Sequence, residues 1–144
     1  MTVSTAASSE LVNGDFEAGD NGAWRVYSFQ LLEVITDQDV PQPHSGRFLA
    51  WLGGFQNEVT TLSQTVQVSP DTPFLHFWYM INSTDTSAND FFTVEVNGLI
   101  IYQRILNEDA TNMSWAEKSL DLRAFAGTSA EILFKVRTNE SSPE

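Results

Sequence analysis

Asp15 and Glu17 are the residues of this chain whose types and spacing best suit cation binding. They flank Phe16, directly after Asn13-Gly14. Asn and Gly both tolerate positive φ, so this dipeptide predicts a turn. In an extended segment after the turn, the two carboxylates point to one side and Phe16 to the other. Such a segment can anchor itself in a core and offer hard oxygen ligands to Ca²⁺. The alternative is a solvated strand end, with Asp15 closing the turn.

A second set of residues suits sugar binding. His76 and Trp78 alternate with the more apolar side of segment 74–81, so they are expected to face outward or into a groove. An exposed indole can stack on the apolar face of a sugar ring, while polar neighbours bond to its hydroxyls. Phe91 and Glu95, on a neighbouring predicted hairpin, would complete this platform. The alternative is that Trp78 is packed under loops, as most tryptophans are.

The other tryptophans are predicted to be structural. Trp24, Trp51 and Trp115 each lie within an alternating apolar segment, which is typical of core or core-rim positions. Phe29 and Phe55 lie on or near predicted loops, together with Tyr27, and are alternative contact points.

Composition argues against several other functions. The net charge of −12, from 19 acidic and 7 basic residues, repels phosphate backbones and anionic membrane surfaces. No nucleic-acid partner and no membrane insertion are therefore expected, and no apolar run approaches the ~20 residues of a bilayer span. His44 lies beside Ser45 without a nucleophile elbow or paired acid, and two histidines without cysteine are too few for a typical zinc site. We therefore predict that the chain is not an enzyme.

The elements that position these residues are short strands. The strand-like segments show period-2 alternation and are bounded by Gly, Pro and Asn. They are residues 24–27, 31–36, 47–52, 58–68, 74–81, 90–96, 99–104, 114–120 and 130–138. Imperfect alternation in 58–68 predicts a bulge or a bend, and Asn97-Gly98 predicts a type I′ hairpin.

This pattern predicts an all-β fold: a two-sheet antiparallel β-sandwich, most simply a jelly roll. One short helical turn is expected over residues 121–127, capped by Asp121 or Ser119 and closed by Gly127. Residues 1–10 are small and polar and predict a disordered lead-in. The sandwich domain is expected over residues 11–138, followed by a tail at 139–144.

The order and spacing of these motifs resemble the galactose-binding-like jelly-roll modules. The resemblance covers nearly all of the chain from Leu11, and its motifs are mostly core and turn positions. The chain looks like carbohydrate-binding modules and like the accessory domains of secreted bacterial proteases and glycoside hydrolases. The residues that carry the resemblance are Val12-Asn13-Gly14-Asp15-Phe16-Glu17, Trp24, His44-Ser45-Gly46, Trp51-Leu52-Gly53-Gly54, Leu75-His76-Phe77-Trp78-Tyr79, Asp90, Val94-Glu95-Val96, Trp115, Asp121-Leu122, Ala126-Gly127 and Phe134.

The resemblance implies a structural calcium ion beside the first strand. Its ligands would be Asp15 or Glu17 together with the turn at Ser45; Asp121 is a further candidate, although its role as a helix cap already explains it. Members of the family usually end in a strand with an Asp-Asp-Val-like segment that adds a calcium ligand. No such segment follows Thr138, and an unpaired sheet edge could then accept a strand from another chain.

Two functional hypotheses remain from the sequence. The first is a calcium-stabilised module that binds glycan or a cell-surface polymer as an accessory to a larger secreted, extracellular protein. The second is a structural or protein-interaction sandwich that uses an open sheet edge and has no sugar site. A groove flanked by outward aromatic residues favours the first, and an apolar edge buried against another chain favours the second.

Overall fold

Ten strands and one short 3₁₀ helix form the part of the chain that the computed structural model describes, residues 1–7, 11–39, 41–82, 89–107, 111 and 114–139. The strands are β1 (Thr2–Ala7), β2 (Arg25–Ser28), β3 (Ile35–Asp37), β4 (Phe48–Trp51), β5 (Val59–Gln67), β6 (Phe74–Met80), β7 (Phe91–Val96), β8 (Leu99–Ile105), β9 (Ala116–Asp121) and β10 (Ser129–Arg137). The 3₁₀ helix spans Arg123–Phe125. No helix within these ranges is long and apolar enough to span a bilayer.

The strands form two five-stranded sheets in which the paired strands are antiparallel. The first sheet has the order β3-β4-β1-β6-β9, and the second has the order β2-β5-β10-β7-β8. The chain passes repeatedly from one sheet to the other, as it does in a jelly roll. The predicted all-β sandwich is confirmed.

Alternation along the long strands builds the core between the sheets. In β10, Ile132, Phe134 and Val136 are fully buried, whereas the residues between them are not. Phe134 contacts Phe77 of the first sheet edge to face, with ring centroids 5.2 Å apart, and lies parallel to Phe92 of the second sheet. Aromatic contacts of this kind join the two sheets.

The predicted hairpin is confirmed, and the predicted bulge is wrong. Asn97 and Gly98 have φ values of 50° and 79°, as a type I′ turn between β7 and β8 requires. β5 pairs with β10 from Val59 to Gln67 without a shift of register. A register shift occurs instead at Val94/Glu95, where β7 pairs with β8.

The prediction of disorder over residues 1–10 is wrong for β1. This strand lies between β4 and β6, with Val3 opposite Ala50 on one side and Tyr79 on the other. Val3 is fully buried, and pairing on both sides satisfies backbone groups of a segment of mostly small residues. The Met1 ammonium donates to the carbonyl of Leu52 at 3.0 Å, and burial lowers its pKa to about 5. Val3 and two adjacent alanines give no periodic signal, so the sequence pattern did not reveal the strand.

Candidate functional site

The segment that carries Asp15 and Glu17 is a folded loop. The positive φ of Asn13, 52°, agrees with the predicted turn, but the extended conformation predicted after the turn is wrong, because Phe16 has a φ of 65°. The Asn13 side chain holds the loop: its Oδ1 accepts from the N–H of Ala18, and its Nδ2 donates to the carbonyl of Gly19. Phe16 is fully buried, so the predicted anchor is present although the strand is not.

Glu17 fixes the entrance to β4. Its Oε1 accepts hydrogen bonds from the backbone N–H groups of Arg47 and Phe48, both at 2.9 Å. A Cβ at Gly46 would lie 2.3 Å from the same oxygen, and Gly46 has a φ of 65°. Glu17 and the Ser45-Gly46 turn are therefore adjacent, as the resemblance implied. The Asp15 carboxylate makes a hydrogen bond within the same loop: its Oδ1 accepts from the N–H of Glu17 at 3.2 Å.

Asp121 is separate from this group. Its carboxylate accepts the backbone N–H and the side-chain Nε of Arg123, at 2.9 and 2.8 Å. The side-chain hydrogen bond from Arg123, followed by the backbone one, holds the pKa of Asp121 below its ordinary value. β1 and β6 lie between β4 and β9, which puts the two strands about 14 Å apart at ~4.8 Å per strand. The four predicted metal residues thus do not form one ligand set, and the described residues contain no group of three or more His, Asp or Glu able to hold an ion.

The predicted sugar platform is divided between two sheets. His76 and Trp78 lie on β6 of the first sheet, whereas Phe91 and Glu95 lie on β7 of the second. Because the buried residues of each strand face the shared core, these two pairs point away from opposite faces of the sandwich. The prediction that these four residues form one platform is therefore wrong. The sequence pattern fixed the face of each strand but not which strands are neighbours.

Trp78 is covered by a residue that the sequence analysis did not assign to binding. The His44 ring stacks on Trp78 with centroids 4.0 Å apart and planes 16° from parallel. Trp115 meets His44 edge to face at 6.0 Å, and its Nε1 donates to the carbonyl of Gln42 at 3.1 Å. His76 approaches Trp78 edge to face and pairs with the carboxylate of Glu117 on β9. The first sheet thus carries a cluster of two indoles and two imidazoles on its outer face.

A cavity of about 320 Å³ opens beside this cluster. We call it the His44 cavity, and its lining residues are Asp39, Pro41, Gln42, Pro43, His44, Met80 and Trp115. Aromatic and apolar groups form much of the wall, and Asp39 and Gln42 supply oxygen and amide groups that can bond to hydroxyls. The prolines on either side of Gln42 restrict the loop that carries His44. That Pro-Gln-Pro-His string was the available sequence signal, since it predicts a stiff loop that presents a histidine.

Comparison with known proteins gives one informative match. The fold is similar to the solved structure of TmCBM61, described as a complex with β-1,4-galactotriose. The TM-score is 0.60 and the sequence identity 18%, and the match covers 93% of this chain and 91% of that one. At this identity the likeness establishes the fold alone, a two-sheet antiparallel β-sandwich. No protein-family model matches the chain, and no curated protein matches it either.

Proposed function

We propose that this chain is a non-catalytic glycan-binding module, and that the His44 cavity holds the sugar. The observation that carries the proposal is the cavity itself, where Trp115 and the ring of His44 line a largely apolar recess on the outer face of the first sheet, with Asp39 and Gln42 as its polar groups. Its fold is shared with TmCBM61, whose structure contains β-1,4-galactotriose, and this supports the same class of ligand. The family resemblance supports a role as an accessory domain of a larger secreted protein.

The roles of the cavity residues follow from their chemistry. Trp115 offers an indole surface to the C–H groups of a sugar ring, and its bond to the Gln42 carbonyl holds the ring in place. Asp39 accepts hydrogen bonds from sugar hydroxyls. Trp78 acts through His44, because the stack fixes the position of the imidazole. The Asp39 carboxylate in the lining and the net charge of −12 favour a neutral glycan over a uronic acid or sulfated polymer.

Titration calorimetry with galactotriose, and gel retardation with galactan and other neutral polysaccharides, test this proposal. Trp115→Ala and His44→Ala are each expected to weaken binding about 30-fold, the effect of losing about 2 kcal/mol at a hot spot. Phe74→Ala is the matched control: it removes an exposed ring at the far end of β6, away from Met80. Unchanged affinity in Trp115→Ala would place the sugar elsewhere. Absence of binding to every neutral glycan by the unmodified protein would reject the proposal.

Calcium stabilisation is a separate part of the proposal. It is supported by the family resemblance and by the adjacency of Glu17 to the Ser45-Gly46 turn. An ion bound only by the native state raises the melting temperature by mass action. Melting curves in excess calcium and in excess chelator are the test, and identical curves would exclude the ion.

The second candidate function is strand pairing through β8. This seven-residue strand forms an edge of the second sheet, and the side chains of Leu99 and Ile100 are exposed on it. An apolar edge of this length can accept a strand from another chain. Sedimentation velocity over a range of concentrations distinguishes the two functions. Self-association abolished by Ile100→Lys, in a protein that binds no glycan, would favour this candidate.

A further inference from the structure

Two neighbouring loops expose large apolar side chains at one end of the sandwich. The first loop follows β2 and carries Phe29 and Leu31, whose exposed fractions are 65% and 91%. The second follows β4 and carries Phe55, which is 58% exposed. We call residues 29–31 and 54–57 the paired-loop tip. Exposed apolar groups gathered in one place commonly mark a contact surface.

A fully buried carboxylate fixes the first loop. Glu58 is 0% exposed, and its Oε1 accepts the Ser28 hydroxyl at 2.6 Å and the Phe29 N–H at 3.0 Å. Its Oε2 accepts the N–H of Gln30 at 3.0 Å. Burying a carboxylate is costly unless hydrogen bonds replace its water. Because the N–H groups of Phe29 and Gln30 donate to this carboxylate, the backbone of the first loop is held in one conformation.

The second loop is tied to the same framework. The Thr138 hydroxyl donates to the carbonyl of Phe55 at 2.5 Å, and the Gln30 side-chain amide donates to the carbonyl of Gln56 at 2.6 Å. The latter bond joins the two loops directly. Both therefore present their side chains in a fixed relative position.

Leu31 shows that this arrangement is costly. It has a φ of 61°, a left-handed conformation that disfavours residues with a Cβ. Its side chain is almost entirely exposed, so little burial compensates for the strain. Strained, exposed residues held by a rigid framework are typical of ligand-contact sites.

Trp51 connects the tip to the His44 cavity. Its Nε1 lies 2.6 Å from where a Cβ of Gly54 would be, so the indole packs directly on the second loop, and Gly54 has a φ of 89°. Trp51 lies at the C-terminal end of β4, and Met80 of the cavity lies at the same level on β6, since both pair with Thr2 of β1. Trp51 and Met80 are therefore separated by two strand spacings, about 10 Å. Trp51, at 36% exposure, thus stands between the cavity and Phe55.

The chemistry of the tip selects a neutral, hydroxylated ligand. Residues 28–32 and 53–57 contain no charged side chain, in a chain with 26 of them (19 acidic and 7 basic). Aromatic rings alternate there with the exposed side-chain amides of Gln30, Gln56 and Asn57. Rings suit the C–H faces of sugars, and amides both donate to and accept from hydroxyls.

We infer that Trp51 and the paired-loop tip form a second contact surface for the same glycan chain, so that the module prefers a polymer to a short oligosaccharide. This inference rests on the proposed function, because the cavity supplies the first contact. A chain that leaves the cavity passes over Trp51 and reaches the rings of Phe55 and Phe29. Simultaneous contact at both places raises affinity through effective concentration.

The test compares chain lengths in matched variants. Titration with galactotriose and with galactan is expected to show galactan bound at least about tenfold more tightly per chain by the unmodified protein. The double variant Phe29→Ala/Phe55→Ala is expected to remove that difference and leave galactotriose binding unchanged, whereas Trp115→Ala weakens both. Phe74→Ala again serves as the control. Because Trp51→Ala removes packing on Gly54, it serves as a second variant, with circular dichroism as the folding check.

The outcomes separate the two proposals. Galactotriose binding with no preference for galactan, or a double variant that keeps the preference, overturns the second surface and leaves the cavity proposal standing. Failure of the unmodified protein to bind any neutral glycan rejects both proposals. Loss of self-association, or of binding to phosphatidylcholine vesicles, in the double variant with galactan binding intact would assign the tip to another partner and also overturn the inference.

Discussion

Replacing Glu58 by glutamine probes the framework that holds the first loop. The substitution keeps the size of the side chain and exchanges one carboxylate oxygen for an amide NH₂. Oε1 accepts from Ser28, Phe29 and the Thr60 hydroxyl, while Oε2 accepts, among the residues that the structure describes, from Gln30 alone. The lowest-energy arrangement keeps the amide oxygen at the position with three donors. The NH₂ group then faces the N–H of Gln30, donor against donor.

The magnitude follows from these bonds. A buried donor left without a partner costs about 1–3 kcal/mol, and the three remaining bonds lose the extra strength given by a charged acceptor. Removal of the buried charge itself offsets part of this loss. We expect the free energy of unfolding to fall by about 2 kcal/mol. For a domain of this length that corresponds to a melting temperature lower by roughly 6 °C.

Urea unfolding followed by tryptophan fluorescence measures this change. Glu33→Gln is the matched control, since Glu33 is an exposed carboxylate a few residues after the first loop, and it should change the free energy by less than about 0.5 kcal/mol. A Glu58→Gln protein as stable as the control would refute the reasoning, because the carboxylate would then not be holding the loop. Hydrogen exchange should also show faster exchange at the N–H of Gln30.

Three further predictions concern single residues. Leu31→Gly should raise the free energy of unfolding by about 0.5–1 kcal/mol in urea titrations, because glycine relieves the left-handed strain and the exposed side chain loses little packing; a loss of stability would contradict this. Gly46→Ala should lower the free energy of unfolding by about 1–3 kcal/mol in the same assay, because its Cβ would collide with the Glu17 carboxylate; an unchanged midpoint would show that Glu17 can move away at little cost. Burial, and then the hydrogen bond with Tyr79, raise the pKa of Tyr102 to about 12 from its ordinary 10.0. Its folded pKa lies above the unfolded value, so the stability it contributes is present below pH 10.0 and is lost as pH rises towards 12. Ultraviolet titration of the phenolate should show this late ionisation, and an early one in the folded protein would contradict it.

Strands with regular alternation could be predicted from the sequence, and contacts between distant segments could not. β6 and β10 were predictable because one side of each strand is buried and the other is not. The stack of His44 on Trp78 joins residues 34 positions apart (78 − 44), and no local pattern indicates it. Glu58 resembles any surface carboxylate in the sequence, since its donors are Ser28 at the end of β2, the loop that follows, and Thr60. Strand order, which divided the predicted platform, is likewise a property of the whole chain.

The bonds that hold the first loop have a consequence for how the surface it presents can change. Phe29 and Gln30 contribute their backbone N–H groups to the Glu58 carboxylate, and every amino acid except proline has such a group. The Phe29 side chain can therefore be exchanged by mutation while the loop keeps its shape. The exposed surface of the loop can therefore change one residue at a time, with the sandwich beneath it unchanged. A library randomised at positions 29, 31 and 55, with Glu58 and Thr138 retained, would use the domain as a scaffold for new binders.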